Sequence, residues 1–250
     1  MGSSDNINVQ ANQIKPQKAA NLQRTPLRGG RFGELMNQPL YDGKQWSLAD
    51  EGSYFYSQNP AIDAATTIAG HAAPVLADLF TKPFIIIKNN TAGSQDIRLY
   101  LDFIHITVIT PGANGTSDNW AAEIDTGNPD RSTTTGTTLL TVNPNLQSTA
   151  SPAGVLKAGP LVASAPSANA RRVGHGVMRT SIAIAGDQYM FRFGESSPSA
   201  GAVVAAAASS RIIPLPPVVL GAQDQFLLHL YAPSQSAAAV YKVIVGHVER

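Results

Sequence analysis

The sequence predicts an all-β protein: a jelly-roll-like β-sandwich with an extended N-terminal arm and one short helical segment. From residue 84 onward, short runs rich in β-branched and aromatic residues are separated by Asn, Gly, Asp and Pro, which is typical of strands and turns. The alternating helices that a parallel sheet needs are missing from this part of the chain. No internal repeat of fixed period is visible, which argues against a propeller or a solenoid.

The predicted strands are compact apolar runs bounded by turn residues. Three prolines place the segment 211–220 at a sheet edge, because proline cannot donate a ladder hydrogen bond. Gly186-Asp187 and the small polar turn at 232–236 each predict a hairpin. The strands are placed at 84–88, 97–110, 119–124, 139–142, 154–156, 161–163, 172–185, 188–193, 211–220, 225–231 and 239–248.

Two of these strands carry unusual patterns. In 97–110 (IRLYLDFIHITVIT) the apolar positions are odd-numbered up to Phe103 and even-numbered from Ile104, which predicts a β-bulge or burial on both faces. In 239–248 both alternating sets are mostly apolar, which predicts a strand that is covered on both sides. The Ala-rich segment 60–80 predicts the helical part, as one or two short helices interrupted at Gly70 and Pro74.

Residues 1–50 are predicted to be an arm and residues 51–250 the sandwich domain. The arm is rich in Asn, Gln, Pro and Gly and has no sustained period, so it buries too little to fold alone. We therefore expect it to become ordered against its own domain or a neighbouring subunit. Its candidate assembly contacts are the large apolar residues Leu27, Phe32, Leu35, Leu40 and Trp46.

The first part of the arm is also basic. Its candidate contacts to nucleic acid or to a partner are Lys15, Lys18, Arg24, Arg28 and Arg31. These charges are sparse for a phosphate-binding tract, so the pattern favours a solvated or partner-paired tail.

The composition restricts the function classes. Charged residues make up 14% of the chain, against a typical share of about 25%, and the net charge is +1. Such a surface suits a protein that is covered by neighbours, and it has no global field to attract nucleic acid or a membrane. Cysteine is absent, so disulfides and zinc–thiolate sites are excluded. No apolar run reaches the roughly 18 residues of a membrane span, and no secretory signal is expected.

The sequence predicts that the chain is not an enzyme and that it has no cofactor. There is no Gly-x-Ser-x-Gly motif, and we interpret Glu123 and Asp125 as a solvated face or a cation contact. A cupin-like metalloenzyme that uses His105, His229 and His247 is one alternative, because each lies between apolar neighbours in a predicted strand. Without a His-x-His pair or a nearby Glu at ligand spacing, structural histidines are favoured.

A second alternative is a carbohydrate- or receptor-binding β-sandwich. Such a module needs exposed aromatic side chains, and the candidates are Trp120 and the cluster Tyr54-Phe55-Tyr56. Because aromatic residues make up only 7% of the chain, a role in the core is favoured for them.

The C-terminal third contains a proline-rich segment at 213–218, an apolar strand at 226–230, a small polar turn and a closing strand at 241–250. This order resembles the end of jelly-roll virion proteins of tailed bacteriophages, and an arm before a β-sandwich resembles capsid and cement proteins. The resemblance implies a structural protein located in the virion: a capsid, cement or head–tail component. Its implied partners are other copies of itself and other virion proteins.

Overall fold

The computed structural model describes residues 48–60, 67–72, 80–92, 97–126, 131, 135–194 and 208–250. The chain divides into two units, Met1–Glu51 and Gly52–Arg250. Of the first unit only residues 48–51 are described, and residues 48–50 are helical. The arm residues singled out by the sequence lie outside the described residues: Lys15, Lys18, Arg24, Leu27, Arg28, Arg31, Phe32, Leu35, Leu40 and Trp46.

The second unit is a sandwich of two packed β-sheets, which confirms the predicted all-β class. Its strands are β1 (Tyr54–Gln58), β2 (Ile68–Ala69), β3 (Ile85–Asn89), β4 (Leu99–Thr110), β5 (Asp118–Asp125), β6 (Thr137–Thr138), β7 (Leu140–Val142), β8 (Gly154–Ala158), β9 (Arg171–Arg179), β10 (Gln188–Phe193), β11 (Ser210–Leu215), β12 (Val219–Leu220), β13 (Gln225–Tyr231) and β14 (Val240–Glu249).

The strands are distributed over an eight-stranded and a six-stranded sheet. The eight-stranded sheet has the order β11-β10-β4-β14-β1-β7, with β12 also paired to β4 and β2 to β14; the six-stranded sheet has the order β6-β8-β3-β13-β5-β9. The described pairings are antiparallel except for β10 with β11. Successive strands such as β3, β4 and β5 alternate between the sheets, as in a jelly-roll-like sandwich.

The core lies between the two sheets. Because side chains alternate along a strand, one set from each strand points inward, including Ile104, Ile106 and Val108 of β4 and Phe226 and Leu228 of β13. Trp120 belongs to this core: it is 6% exposed and packs edge-on against Phe191 at 5.3 Å.

A glycine makes room for the Trp120 ring on the neighbouring strand β9. A Cβ atom at Gly174 would lie 2.8 Å from the tryptophan ring, so no larger residue fits there without movement.

The change of face in the long strand is a β-bulge. Leu101 pairs with His247 and Phe103 pairs with Gly246, so Asp102 is the extra residue on β4. Buried positions are odd-numbered before the bulge and even-numbered after it, as the sequence predicts. The Tyr54 hydroxyl donates a hydrogen bond to Asp102 Oδ2 at 2.6 Å. The first part of the proline-rich segment, β11, also lies at an edge, since among the described strands it pairs with β10 alone.

Both predicted hairpins are wrong. β9 lies in the six-stranded sheet and β10 in the eight-stranded sheet, and the first of these strands ends at Arg179. The buried Arg179 guanidinium donates to both oxygens of the buried Asp187, at 3.0 and 3.1 Å. Asp187 therefore holds the connection between β9 and β10 where the chain crosses from one sheet to the other. A strand–turn–strand pattern in sequence does not report whether the turn stays within one sheet.

The second hairpin fails for the same reason. β13 finds its neighbours β3 and β5 in the six-stranded sheet, and β14 finds β1 and β4 in the other sheet. Within the predicted helical segment 60–80, residues 68–69 are strand β2, which pairs with β14. Residues 61–66 and 73–79 of that segment lie outside the described residues.

Candidate interaction surface

The central part of the outward side of the six-stranded sheet is covered by the chain itself. We call it the covered face and define it by Ile86, Ala121, Glu123, Asp125, Leu227 and His229, all of them buried. Leu161 and Ala163 pack onto Ile86 and Leu227 as a second small core. Their loop is held by hydrogen bonds from the backbone N–H of Ala163 to Thr81 O at 2.8 Å and of Gly159 to Phe84 O at 2.9 Å. The predicted strand at 161–163 is thus a covering segment.

A buried ionic network holds the covering segments on the sheet. The Arg131 guanidinium is fully buried, donates to the Glu123 carboxylate and lies 3.1 Å from Asp125 Oδ2. It also donates to Phe80 O at 2.5 Å and to Ser164 O at 3.3 Å. One side chain therefore joins the sheet to two covering segments.

The acidic residues of this network differ from the sequence interpretation of a solvated face. Glu123 and Asp125 are buried, and the cation that they contact is Arg131. Burial raises the pKa of Glu123, and the hydrogen bond and charge of Arg131 oppose that rise. The Ser167 backbone N–H also donates to Asp125 Oδ2 at 3.1 Å. These carboxylates support the loop and are not open to a substrate.

The three strand histidines lie on three different surfaces. His105 is half-buried on the outward side of β4, and His229 is buried in the covered face. His247 lies between the sheets, where it stacks on Phe55 at 5.6 Å. Among the described residues, no three His, Asp or Glu side chains form a group that could hold a metal ion. The structure does not bring together the ligands that the metalloenzyme alternative requires.

Two of these histidines have clear structural environments. Burial, and then the Arg131 charge, lower the pKa of His229 to about 3, so it is neutral at physiological pH. His247 Nε2 lies 3.2 Å from Glu249 Oε1, and Glu249 accepts hydrogen bonds from the backbone N–H groups of Ala153 and Gly154 at 2.7 and 2.8 Å. Burial alone would raise the pKa of Glu249, but these hydrogen bonds lower it.

A small cleft opens at the end of the sandwich beside Asp118. Its other lining residues include His71, Tyr231, Gln235 and Tyr241. The cavity volume is about 10 Å³, which is room for about one water molecule. Burial, and then the Asp187 charge, raise the pKa of Asp118 to about 7. Sites for small organic ligands are typically several hundred Å³, so this cleft does not fit such a ligand.

The outward side of the eight-stranded sheet differs, because apolar residues remain accessible there. The strand registers place its outward side chains in three rows that cross the strands. The first row is Ile212, Met190, His105, Ile244, Gln58 and Leu140. The second is Pro214, Arg192, Phe103, Gly246, Tyr56 and Val142. The third is Val219, Tyr100, Val248 and Tyr54. We call these rows the open face.

The open face is apolar, and most of its side chains are partly exposed, whereas Tyr54 and Val248 in the third row are buried, at 1% and 6% exposure. Its most exposed members are Leu140 at 47%, Val219 at 46%, Val142 at 39% and Ile212 at 37%. Arg192 is the one Lys, Arg, Asp or Glu side chain in the three rows, and Asp102 of the bulge lies beside the second row. In contrast, the neighbouring row of Ser210, Gln188, Thr107 and Lys242 is polar. The outward side of a solvated sheet is normally polar along its whole length, so the open face is a candidate interaction surface.

Aromatic rings form the centre of this surface. The Tyr56 ring lies 5.9 Å from Phe103 and 5.2 Å from Tyr54. A Cβ atom at Gly246 would come within 2.5 Å of both Phe103 Cε1 and the Tyr54 hydroxyl oxygen, so the rings lie directly on the glycine backbone. The absence of a side chain at this position lets the aromatic cluster lie flat on the sheet.

A hydrogen-bonded turn follows β7 and leads to β8 in the other sheet. Leu146 at its tip is 99% exposed. Asn143 Oδ1 accepts from the Asn145 backbone N–H at 2.9 Å, and Asn145 Oδ1 accepts from the Gln147 N–H at 2.9 Å. Asn143 Nδ2 also donates to Gly52 O at 2.9 Å, which joins the turn to the segment before β1. These bonds hold a fully exposed leucine in a defined place.

The residues proposed for carbohydrate binding are divided between core and surface. Trp120, Tyr54 and Phe55 are buried, and Tyr56 is half-buried on the open face. Sequence reasoning missed the open face as a surface. A signal for it was present in 239–248, where both alternating sets are apolar, but the outward Ile244 is only half-buried in the described structure.

No protein-family model, curated protein or solved structure matches the chain. Within the described ranges there is no helix with the length and hydropathy that crossing a membrane requires.

Proposed function

We propose that this chain is a virion structural protein, a capsid, cement or head–tail component, whose function is to bind other subunits. The observation that carries the proposal is the open face, whose first two rows, together with Val219 and Tyr100 of the third, form an apolar surface that is partly exposed in the described chain. Burial of such a surface is favourable by about 25 cal/mol per Å², so a partner that covers it gains binding energy. The proposal also rests on the resemblance of residues 213–250 to the ends of phage jelly-roll proteins.

The low charge of the chain supports the same function. A protein of 14% charged residues and net charge +1 has little repulsion to keep copies apart. The charged side chains that could define a catalytic site, Glu123, Asp125 and Arg131, are instead buried in a structural network. Partners are other copies and other virion proteins, and the N-terminal arm adds contacts that become ordered on assembly.

The test is the mass of the native particle, by light scattering or native mass spectrometry, for the intact chain and for a chain that lacks residues 1–45. We expect a symmetric oligomer that is weakened by the truncation. Two full-length controls separate the kinds of arm contact: one replaces Leu27, Phe32, Leu35 and Leu40 by Ser, and the other replaces the five basic residues by Gln. The first should weaken assembly and the second should not. A stable monomer in every case contradicts the proposal.

The second candidate, a carbohydrate-binding module, is favoured by one observation. Tyr56 and Phe103 form an aromatic patch beside Asp102 on the open face, and sugar rings commonly stack on such patches. Here Tyr56→Ala should abolish glycan binding by the isolated protein, whereas Trp120→Ala would act by unfolding the core. Absence of binding to a glycan array removes this candidate.

A further inference from the structure

We propose that the open face of one copy packs against the open face of a second copy, as two stacked sheets related by a two-fold axis. This inference rests on the proposed function of subunit binding and names the partner and the surface. Face-to-face sheets in proteins pack about 10 Å apart with interdigitating side chains, and a flat apolar face is the surface that such packing needs.

The size of the open face fits this partner. The strands lie about 4.8 Å apart and the rows about 6.7 Å apart, and the rows hold six, six and four positions, so one copy contributes about 500 Å². Two copies then bury about 1,000 Å², which is at the lower limit of specific interfaces.

The order of residues along the rows fits a two-fold axis that runs parallel to the strands, between β4 and β14. Such an axis places β7 of one copy over β11 of the other. Leu140 then meets Ile212, and Val142 meets Pro214, so apolar ends lie against apolar ends.

The same axis also avoids repulsion between the Arg192 side chains of the two copies. It places Arg192 of one copy opposite Tyr56 of the other and not opposite a second Arg192. A guanidinium over a tyrosine ring is a favourable contact, whereas two facing guanidinium groups repel each other. The second row is thus self-complementary in charge as well as in polarity.

The chain contains no cysteine, so introduced cysteines are unique chemical handles. The experiment uses two full-length variants, Leu140→Cys and Ile212→Cys, treated with a short bis-maleimide whose span is matched to the sheet separation. We expect efficient cross-linked dimers when the two variants are co-expressed. Each variant alone should cross-link at least five-fold less, because the two-fold axis separates identical positions by about 24 Å.

The matched control is Val177→Cys, which is 46% exposed on β9 of the other sheet and should not cross-link to any other variant. If the chain is oligomeric by light scattering but the co-expressed pair links no better than this control, the face-to-face pairing is wrong and the proposed function stands. If Leu140→Cys alone links as well as the pair, the proposed axis is wrong. If the intact chain is a monomer, both proposals fail.

Discussion

The two outward sheet faces of this sandwich differ in how far their apolar side chains are shielded from solvent. On the covered face, Leu161 and Ala163 pack over Ile86 and Leu227, and Arg131 joins the cover to the sheet. On the open face, apolar side chains remain up to 47% exposed. The chain thus completes a second core over one sheet and leaves apolar surface accessible on the other.

The covered face also explains why buried charges need not indicate catalysis. Arg131, Glu123 and Asp125 satisfy one another, together with the carbonyl groups of Phe80 and Ser164. A complete buried network holds loops in one arrangement, whereas a catalytic carboxylate must be accessible to a substrate. The open face has little charge, which is typical of the centre of an interface.

The largest expected effect comes from breaking the covered face with Arg131→Met. This change leaves Glu123 and Asp125 buried without their counter-charge, and loss of one partner from a buried ion pair costs about 3–5 kcal/mol. Urea unfolding should show this loss in the free energy of unfolding. Arg171→Met, at an exposed position on β9, is the control and should change stability by no more than about 0.5 kcal/mol. Equal stability of both variants would remove the structural role of the network.

The pH dependence of the stability of the same variant separates lost charge from lost packing. Burial raises the folded-state pKa of Glu123 above its unfolded value, so its contribution to stability is present at low pH and is lost as the pH rises. Removing Arg131 raises this pKa further and enlarges that loss. The stability deficit of Arg131→Met should therefore be smaller at pH 4 than at pH 7 in parallel urea titrations. A deficit that is independent of pH would mean that packing, not charge, is lost.

A smaller effect is expected from disturbing the centre of the open face with Gly246→Ala. The added methyl group would lie within 2.5 Å of the Phe103 ring and the Tyr54 hydroxyl, and such overpacking costs about 1–3 kcal/mol. Because the aromatic cluster must tilt away from the sheet, association should weaken as well. Gly221→Ala, where the nearest atom is an Asp224 carboxylate oxygen at 3.1 Å, is the control. Both unfolding and sedimentation are measured, and unchanged sedimentation would place the interface elsewhere.

The smallest effect on stability is expected from Leu146→Ser. A 99% exposed leucine contributes little to folding, so the free energy of unfolding should change by less than about 0.5 kcal/mol. Association should nevertheless weaken, because the turn holds this side chain ready for contact. Sedimentation equilibrium measures the association, with Val162→Ser, at an exposed position of the covering loop, as the control. An unchanged association constant would exclude Leu146 from the interface.

Much of the fold is predictable from sequence because local patterns report local structure. The face change near Phe103 and Ile104 predicted a bulge or burial on both faces, and the structure has a bulge at Asp102; the prolines of 211–220 predicted the edge position that β11 takes. The pairing of strands was not predictable in the same way. The turns after Arg179 and Tyr231 resemble hairpin turns, but both cross between sheets, since the choice depends on distant neighbours.

The candidate surface was less predictable than the fold. The outward positions of β14 read as apolar in sequence, but whether the chain covers them is decided by loops elsewhere. Arg131 illustrates the difficulty, because its partners Phe80 and Ser164 are far apart in sequence and no local pattern joins them. A periodic pattern thus identifies two-sided strands, and only the structure shows which side remains open.

If the open face is a subunit interface, Ile244→Lys should disrupt the assembly. Ile244 lies at the middle of the first row and is half-buried, so a lysine can extend to solvent in a monomer but would bury a charge in an assembly. Native mass spectrometry of the intact chain and this variant, at equal concentration, should show an oligomer and a folded monomer. An oligomer of unchanged mass and stability in the variant would show that the open face is not the subunit interface.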